Sequence, residues 1–438
     1  MRAQSILSAL CSFPLPLIPL ILLAACTGND DSAPLGGDTD TETATGAAVT
    51  ISSPADGSSI YLSDGGTLTW TVTGLTLDAD HIGAEVVDGE GHVHVYLDNE
   101  YMDATAETSY TYASLTAGAH TFGVRLAEND HTETNINATD EVSVLVLDPS
   151  VAITAPADGI SLAVSSTSLN LTIADFAISE DVGGAAAVGE GHYHIYVDGL
   201  YFDYGTSLTD ALVPRLSEGA HAITVKLANS EHIEIGVETS VDVTVESGAQ
   251  YVAIDGSPYV SEYGSATVPL VVSVDNFAFG SGRGYYVYLD NVMVADSTTP
   301  EITLRHVAAG NHWVEVRLHD QDGVETGARD YIRLDVADNA RDISITSPTD
   351  GESITGDFNL VATAANYLFD PAAVGGTNAE GTGHFHVYVD GIYWTFGSGS
   401  TVVSGLTRGD HEILVELVNN DHSTASPTAS DVIYVTVN

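Results

Sequence analysis

The side chains best suited to chemistry in this chain are its 16 histidines, and most of them recur in one pattern. His92 and His94, His192 and His194, and His384 and His386 form three His-x-His pairs; a lone histidine follows each, at His131, His232 and His422. Residues two apart on a strand share a face, with Cα atoms roughly 6.5–7 Å apart, so the two imidazoles of a pair can converge on one ion. His120 and His131 flank a strand of about seven residues, which spans roughly 23 Å, so both cannot join the same ion. If that strand runs antiparallel beside the pair, its far end meets the start of the pair. This placement selects the trios His92/His94/His131, His192/His194/His232 and His384/His386/His422. Three neutral imidazoles suit Cu(II), Zn(II) or Ni(II), and oxygen-seeking Ca(II) much less. Asp130, Glu231 and Asp421 precede the last histidine of each trio, placed to supply a fourth ligand or to orient a ring nitrogen.

A second reading stands beside this one, in which the trios satisfy backbone groups and fill a polar sheet face beside Tyr96, Tyr196 and Tyr388. The chain carries its own comparison. A further copy of the pattern has Gly284, Tyr286 and Gly323 where the trio belongs, yet keeps His312 where the others have His120, His221 and His411. Ligands of one ion are expected to vanish together, because two hold a metal much less well than three. His120, His221, His312 and His411 each follow a Gly-x pair and share a face with apolar residues. They are therefore expected to be structural, capping the core and bonding to a loop carbonyl. The aromatic runs Tyr201-Phe202 and Tyr393-Trp394 offer ring faces to a glycan.

The elements that position these residues have a period of two. Val93, Val95 and Leu97 alternate with His92, His94 and Tyr96, and Asp98-Asn99 and Asp198-Gly199 have the residues of tight hairpin turns. Phrases such as GHVHVYLDN from Gly91, GHYHIYVDG from Gly191 and GHFHVYVDG from Gly383 mark copies of one unit. The units run 48–148, 149–247, 248–338 (degenerate) and 339–438. No stretch has a helical period with caps. The expected fold is all-β, as tandem immunoglobulin-like β-sandwich repeats, since an open sheet of this size would leave an apolar face wet.

The order GxGHxH, then LxxGxH, then DH and a last alternating strand resembles the DUF4399 family of small exported bacterial domains. The stretch Gly381-Thr382-Gly383-His384-Phe385-His386 through Leu406, Gly409, His411, Leu417, Asp421-His422 and Val435 carries the resemblance. It covers the latter two thirds of three of the units. It implies an exported β domain, in a family without a settled activity.

The start of the chain reads as an address. Arg2 precedes an apolar run, Leu10 to Leu23, that is short and broken by Pro14, Pro16 and Pro19, a better signal segment than membrane span. Leu23-Ala24-Ala25-Cys26 resembles a bacterial lipobox, which implies cleavage after residue 25 and acylation of Cys26. Each buried methylene of an acyl chain adds about 0.8 kcal/mol of membrane affinity. Residues 1–25 are thus read as signal, and 26–47 as an acidic tether without bulky apolar residues apart from Leu35. Thr27 after the cysteine suggests the outer membrane. With Cys11 lost in the signal and Cys26 lipidated, no thiol remains for catalysis or metal binding.

Composition agrees with an exterior location. Eleven basic residues oppose 61 acidic ones, for a formal charge of −50. Such a surface repels nucleic acid and anionic headgroups and concentrates cations. No Glu or Asp recurs beside all three pairs as a general base, since Glu90 and Glu190 give way to Thr382. The expected protein is a non-enzymatic, lipid-anchored cell-surface protein whose repeats bind Cu or Zn multivalently. The alternatives are an adhesive stalk, or a carbohydrate-binding module whose histidines are structural. A surface protein or glycan partner is left open.

Overall fold

The computed structural model describes residues 46–62, 65–133, 138–256 and 259–438. The signal segment, Cys26 and nearly all of the tether lie outside the described residues. Among the described residues the chain is all β, with no helix.

The first repeat illustrates the unit. Ala48–Ser53, Gly66–Thr73 and Ser109–Tyr112 form one three-stranded antiparallel sheet. The second sheet runs in the order Ser58–Tyr61, Thr139–Leu147, Gly118–Glu128, Glu90–Leu97 and Thr76–Leu77, with Glu100–Thr105 folded back onto Glu90–Leu97. Ser58–Tyr61 runs parallel to the closing strand Thr139–Leu147. An opening strand shared between two sheets, closed by consecutive antiparallel neighbours, is the strand order of an immunoglobulin-like sandwich.

Alternation drives this packing. Val93 and Val95 are fully buried and meet Phe122, Val124 and Leu126 of the neighbouring strand, with Leu68 and Trp70 from the opposite sheet. Burying each such side chain stabilises the sandwich by about 1.5–3 kcal/mol. The Asp98-Asn99 turn has φ of 54° and 66°, and Asp198-Gly199 has 52° and 77°. Both residues are left-handed, as the two-residue hairpin requires.

Four separate apolar cores lie along the chain, one for each repeat. The boundaries read at 247/248 and 338/339 fall inside single strands, Glu234–Ile254 and Glu325–Ser347. Each of these strands closes one sandwich and opens the next. Ala249 belongs to the second core and Val252 to the third, while Ala340 belongs to the third and Ile343 to the fourth. The first junction differs: Thr139–Leu147 ends before Asp148-Pro149, and Ser150–Ala155 starts anew. Proline has no N–H to continue a ladder.

Candidate metal centre

The His-x-His strand Glu90–Leu97 pairs antiparallel with Gly118–Glu128, so that Gly91 faces Glu128, His92 faces Ala127 and His94 faces Arg125. The strand expected to hold about seven residues is longer, at 11, and contains His120. His131 lies past its end in a turn, where its N–H donates to the Glu128 carbonyl at 2.9 Å. The strands must approach closely here. A Cβ on Gly91 would stand 2.3 Å from the Ala127 carbonyl oxygen, and one on Gly383 would stand 2.1 Å from that of Val418. The glycine before each pair is therefore a packing requirement.

Register and turn together aim three nitrogens at one point. His92 Nε2 lies 3.0 Å from His94 Nε2 and 3.1 Å from His131 Nδ1, and the last two are 2.9 Å apart. In the second repeat the same three edges, among His192, His194 and His232, are 3.2, 3.1 and 3.2 Å. In the fourth, His422 Nδ1 stands 3.0 Å from His384 Nε2 and 2.9 Å from His386 Nε2. A tetrahedral ion with bonds of about 2.0–2.1 Å separates its donors by roughly 3.3 Å. The triangles are therefore slightly tighter than an ion needs, and the donor set fits Zn(II) or Cu(II).

The pair is sealed from solvent while the third histidine is exposed: His92 and His94 are 0% and 5% accessible, and the second and fourth trios follow the same pattern. A loop runs beside each trio and is tied to the turn of the third histidine by Gly83 N to the Asn129 carbonyl, Gly183 N to that of Ser230, and Gly375 N to that of Asn420. Tyr101, Tyr201 and Tyr393 stand edge-on to His94, His194 and His386, with centroids 5.3, 5.3 and 4.9 Å away. Burial and the neighbouring imidazoles lower the pKa of His92, His192 and His384 to about 4. These rings are neutral at pH 7, the form that binds a metal. One feature opposes binding: the outward Nδ1 of each of these three is buried without a protein partner. A proton there costs about 1–3 kcal/mol, well below the about 10–16 kcal/mol of a structural zinc site.

The carboxylates nominated from sequence do not join the trios. Asp130 accepts from the Thr132 N–H at 2.9 Å, and Asp421 from the Ser423 N–H at 2.9 Å, each shaping its turn. The Glu231 N–H donates to the Asn229 side chain in the same turn. A carboxylate that sequence reasoning passed over does the orienting. Glu133 Oε1 accepts hydrogen bonds from His94 Nδ1 at 2.5 Å and from the Tyr96 hydroxyl at 2.6 Å. Glu234 does so for His194 at 3.3 Å and Tyr196 at 2.5 Å. This leaves the Nε2 lone pair of His94 and His194 facing inward, a common arrangement behind a metal-bound histidine. The fourth repeat has Thr424 there. The recurring set of Tyr96, Arg125 and Glu133, matched by Tyr196, Lys226 and Glu234, was the available signal.

The third repeat keeps the frame without the site. Tyr286 stacks on His319 at 4.3 Å, and its hydroxyl donates to the Gly323 carbonyl at 3.0 Å. His319 Nε2 in turn bonds Asp296 at 2.9 Å. The segment that carries this loop, residues 74–89, 175–189 and 366–381 in the other repeats, shrinks to 276–283. The ligands and the longer loop are lost together. Tyr288, Arg317 and Glu325 persist, so that ladder does not depend on the trio.

The fourth type of histidine sits elsewhere. His120, His221, His312 and His411 bond the carbonyls of Thr116, Ser217, Ala308 and Thr407 at 2.8–2.9 Å. Their Nδ1 atoms lie 2.7 Å from Asp98, Asp198, Asp290 and Asp390. These aspartates begin the hairpin turns, a partner not foreseen from sequence. Asp78, His81 and Glu90 also gather on the surface of the first repeat.

No protein-family model matches the chain, and no curated protein matches it. Among solved structures, the chain is similar to fibronectin(III)-like modules of Clostridium thermocellum CbhA, at 17% identity and TM-score 0.24, covering 45% of this chain and 94% of that one. It is also similar to immunoglobulin domains 1–5 of Sidekick-1, at 11% identity and TM-score 0.22, covering 90% and 79%. The four N-terminal immunoglobulin domains of Dscam1 isoform 6.9 match at 8% identity and TM-score 0.22, covering 89% and 99%.

Proposed function

We propose that the chain is a non-enzymatic, exported and lipid-anchored repeat protein that binds a divalent transition metal, Cu(II) or Zn(II), at three His₃ sites. The observation that carries this reading is the meeting of three imidazole nitrogens in each of three repeats, 2.9–3.2 Å apart in the first two, and with His422 at 2.9–3.0 Å from both partners in the fourth. In the third repeat the cluster is absent and the loop beside it is shorter. A cation at the centre of such a cluster can take one lone pair from each of the three rings. The chain's charge of −50 enriches cations around every site.

A committed carboxylate and repeated sites favour binding over catalysis. Glu133 is the carboxylate nearest in role to a general base, and it is already committed to His94, Tyr96 and Arg125. Its counterpart in the fourth repeat is Thr424. Three copies of one site multiply avidity and capacity rather than turnover. The lipobox-like Leu23-Ala24-Ala25-Cys26 supports anchoring at the outer membrane or cell surface, and the resemblance to the DUF4399 family supports export. The unbroken strands Glu234–Ile254 and Glu325–Ser347 favour a second role as a stalk that holds the sites away from the anchor.

Calorimetric titration of metal-stripped protein with Cu(II) and with Zn(II) tests the reading. About three equivalents are expected, falling to none when His94, His194 and His386 are all alanine. No binding tighter than roughly 10 μM would leave only the stalk.

A further inference from the structure

A cleft of about 610 Å³ opens between the second and third repeats, within the size range of small-molecule sites, which favour domain boundaries. Its floor is the outer face of the third repeat's sheet. There Trp313 pairs across strands with Arg333, Glu315 with Tyr331, and Arg317 with Arg329. Its facing wall is the second repeat from Asp203 to Asp210. The two walls are held in place by the unbroken strand Glu234–Ile254 and by Arg215, whose guanidinium bonds the fully buried Asp330 at 2.7 Å.

Two properties of the lining define its chemistry. The first is aromatic: Trp313 stacks one face on Tyr331 with centroids 3.9 Å apart, and Arg333 lies over the Tyr204 ring at 4.6 Å and, more loosely, over the Trp313 ring at 5.6 Å. The second is charge already neutralised. Arg329 grips Asp210 through two bonds of 2.7 and 2.9 Å and Glu315 through a third of 2.5 Å. Arg333 bonds Asp203 at 2.9 Å. An ionic ligand therefore gains little from this cleft, and an anion is repelled by the chain as a whole. Asp203 also accepts from the Tyr331 hydroxyl at 2.5 Å and from the Tyr204 N–H at 2.8 Å, and the lone pairs left on Asp203 Oδ1 and on Asp210 are held in fixed planes. Ring faces beside fixed planar hydrogen-bonding groups match a sugar, whose C–H face stacks while its hydroxyls bond.

The Trp313–Arg333 pair on the floor is found in one repeat. The Trp313–Arg333 pair is Thr121–Ser143, Ala222–Asp242 and Glu412–Tyr434 in the others. The repeat without a histidine trio is the one that carries it.

We propose that the cleft between the second and third repeats binds a neutral saccharide, with Trp313 as its stacking platform. The proposal stands apart from metal binding. Metal-free full-length protein would be screened on an array of neutral and acidic oligosaccharides, and the best neutral hit titrated by calorimetry. Neutral glycans are expected to bind, and Trp313→Ala to weaken them about tenfold or more. Thr209→Trp, which fills the exposed rim and leaves the floor untouched, is expected to abolish binding even where Trp313→Ala fails to fold. Tyr434→Ala, an exposed ring on the matching sheet face of the fourth repeat, is expected to bind as the parent does. Binding to acidic glycans alone, no glycan binding at millimolar concentration, or full affinity in Thr209→Trp would each overturn the proposal.

Discussion

At His131 the backbone has φ of 69°, and His232 and His422 sit at 64° and 68°. A side chain with a Cβ is disfavoured there by about 1–2 kcal/mol. The third repeat makes the same turn with Gly323 at φ 75°, the relaxed choice. Three repeats keep a histidine at a position that favours glycine, so the imidazole is wanted for something other than the turn. This separates a ligand from a structural residue. In the metal-free protein, His131→Gly is expected to leave stability unchanged or to raise it by about 1 kcal/mol in denaturant unfolding. The same variant should bind one metal equivalent fewer. A loss of stability without loss of metal would assign the ring to the fold. The nine histidines were legible because a strand's period of two puts a pair on one face and a returning neighbour supplies the third. The recurrence of Glu133 as Glu234 was legible, but its role was not, because its reach to His94 depends on the turn between them.

At the scale of elements, the hairpin is clipped to the strand beside it. Asp390 starts the turn after Thr382–Val389 and accepts from His411 at 2.7 Å and from the Glu412 N–H at 3.0 Å. The bond to Asp390 and the Thr407 carbonyl raise the His411 pKa above 6.5, while His411 and Glu412 lower that of Asp390 below 3.8. A raised histidine contributes fully below its unfolded pKa and loses that contribution as pH rises. A lowered aspartate contributes above its unfolded pKa and loses it as pH falls. The clip is therefore strongest between the unfolded values of 3.8 and 6.5. Thermal melts at about pH 5 and about pH 8 should differ less in Asp390→Asn than in the parent chain. An unchanged difference would remove the clip from the account.

At the scale of the molecule, the junctions differ by one pair of residues. Arg215 of the second repeat reaches Asp330 of the third, and His306 of the third reaches Asp431 of the fourth at 3.1 Å. Both aspartates also accept a backbone N–H from their own opening strand, Ile254 or Ile345. At the first junction the corresponding positions are Ser114 and Thr239, and Pro149 interrupts the strand. Arg215→Ala strands a buried carboxylate and should cost about 3–5 kcal/mol in the unfolding of the third repeat. His306 behaves differently, since Asp342 and Asp431 raise its pKa to about 10. Its contribution is complete below 6.5 and is lost as pH rises toward 10. Small-angle scattering across that interval should show the third and fourth repeats loosening, and His306→Gln should show no such dependence. Identical profiles for both proteins would rule out the histidine clamp.

Period, repeat length, turn residues and the identity of the trios belong to the sequence, because each is set by residues adjacent along the chain or repeated at a fixed offset. Whether three imidazoles meet, which carboxylate stands behind them, and how one sandwich runs into the next were decided by the tertiary structure. Those outcomes depend on strand register and on contacts between segments far apart in the chain, where a shift of one residue turns every side chain to the opposite face. The cleft at Trp313 is the clearest case, since its two walls come from different repeats and neither is visible in the other's sequence.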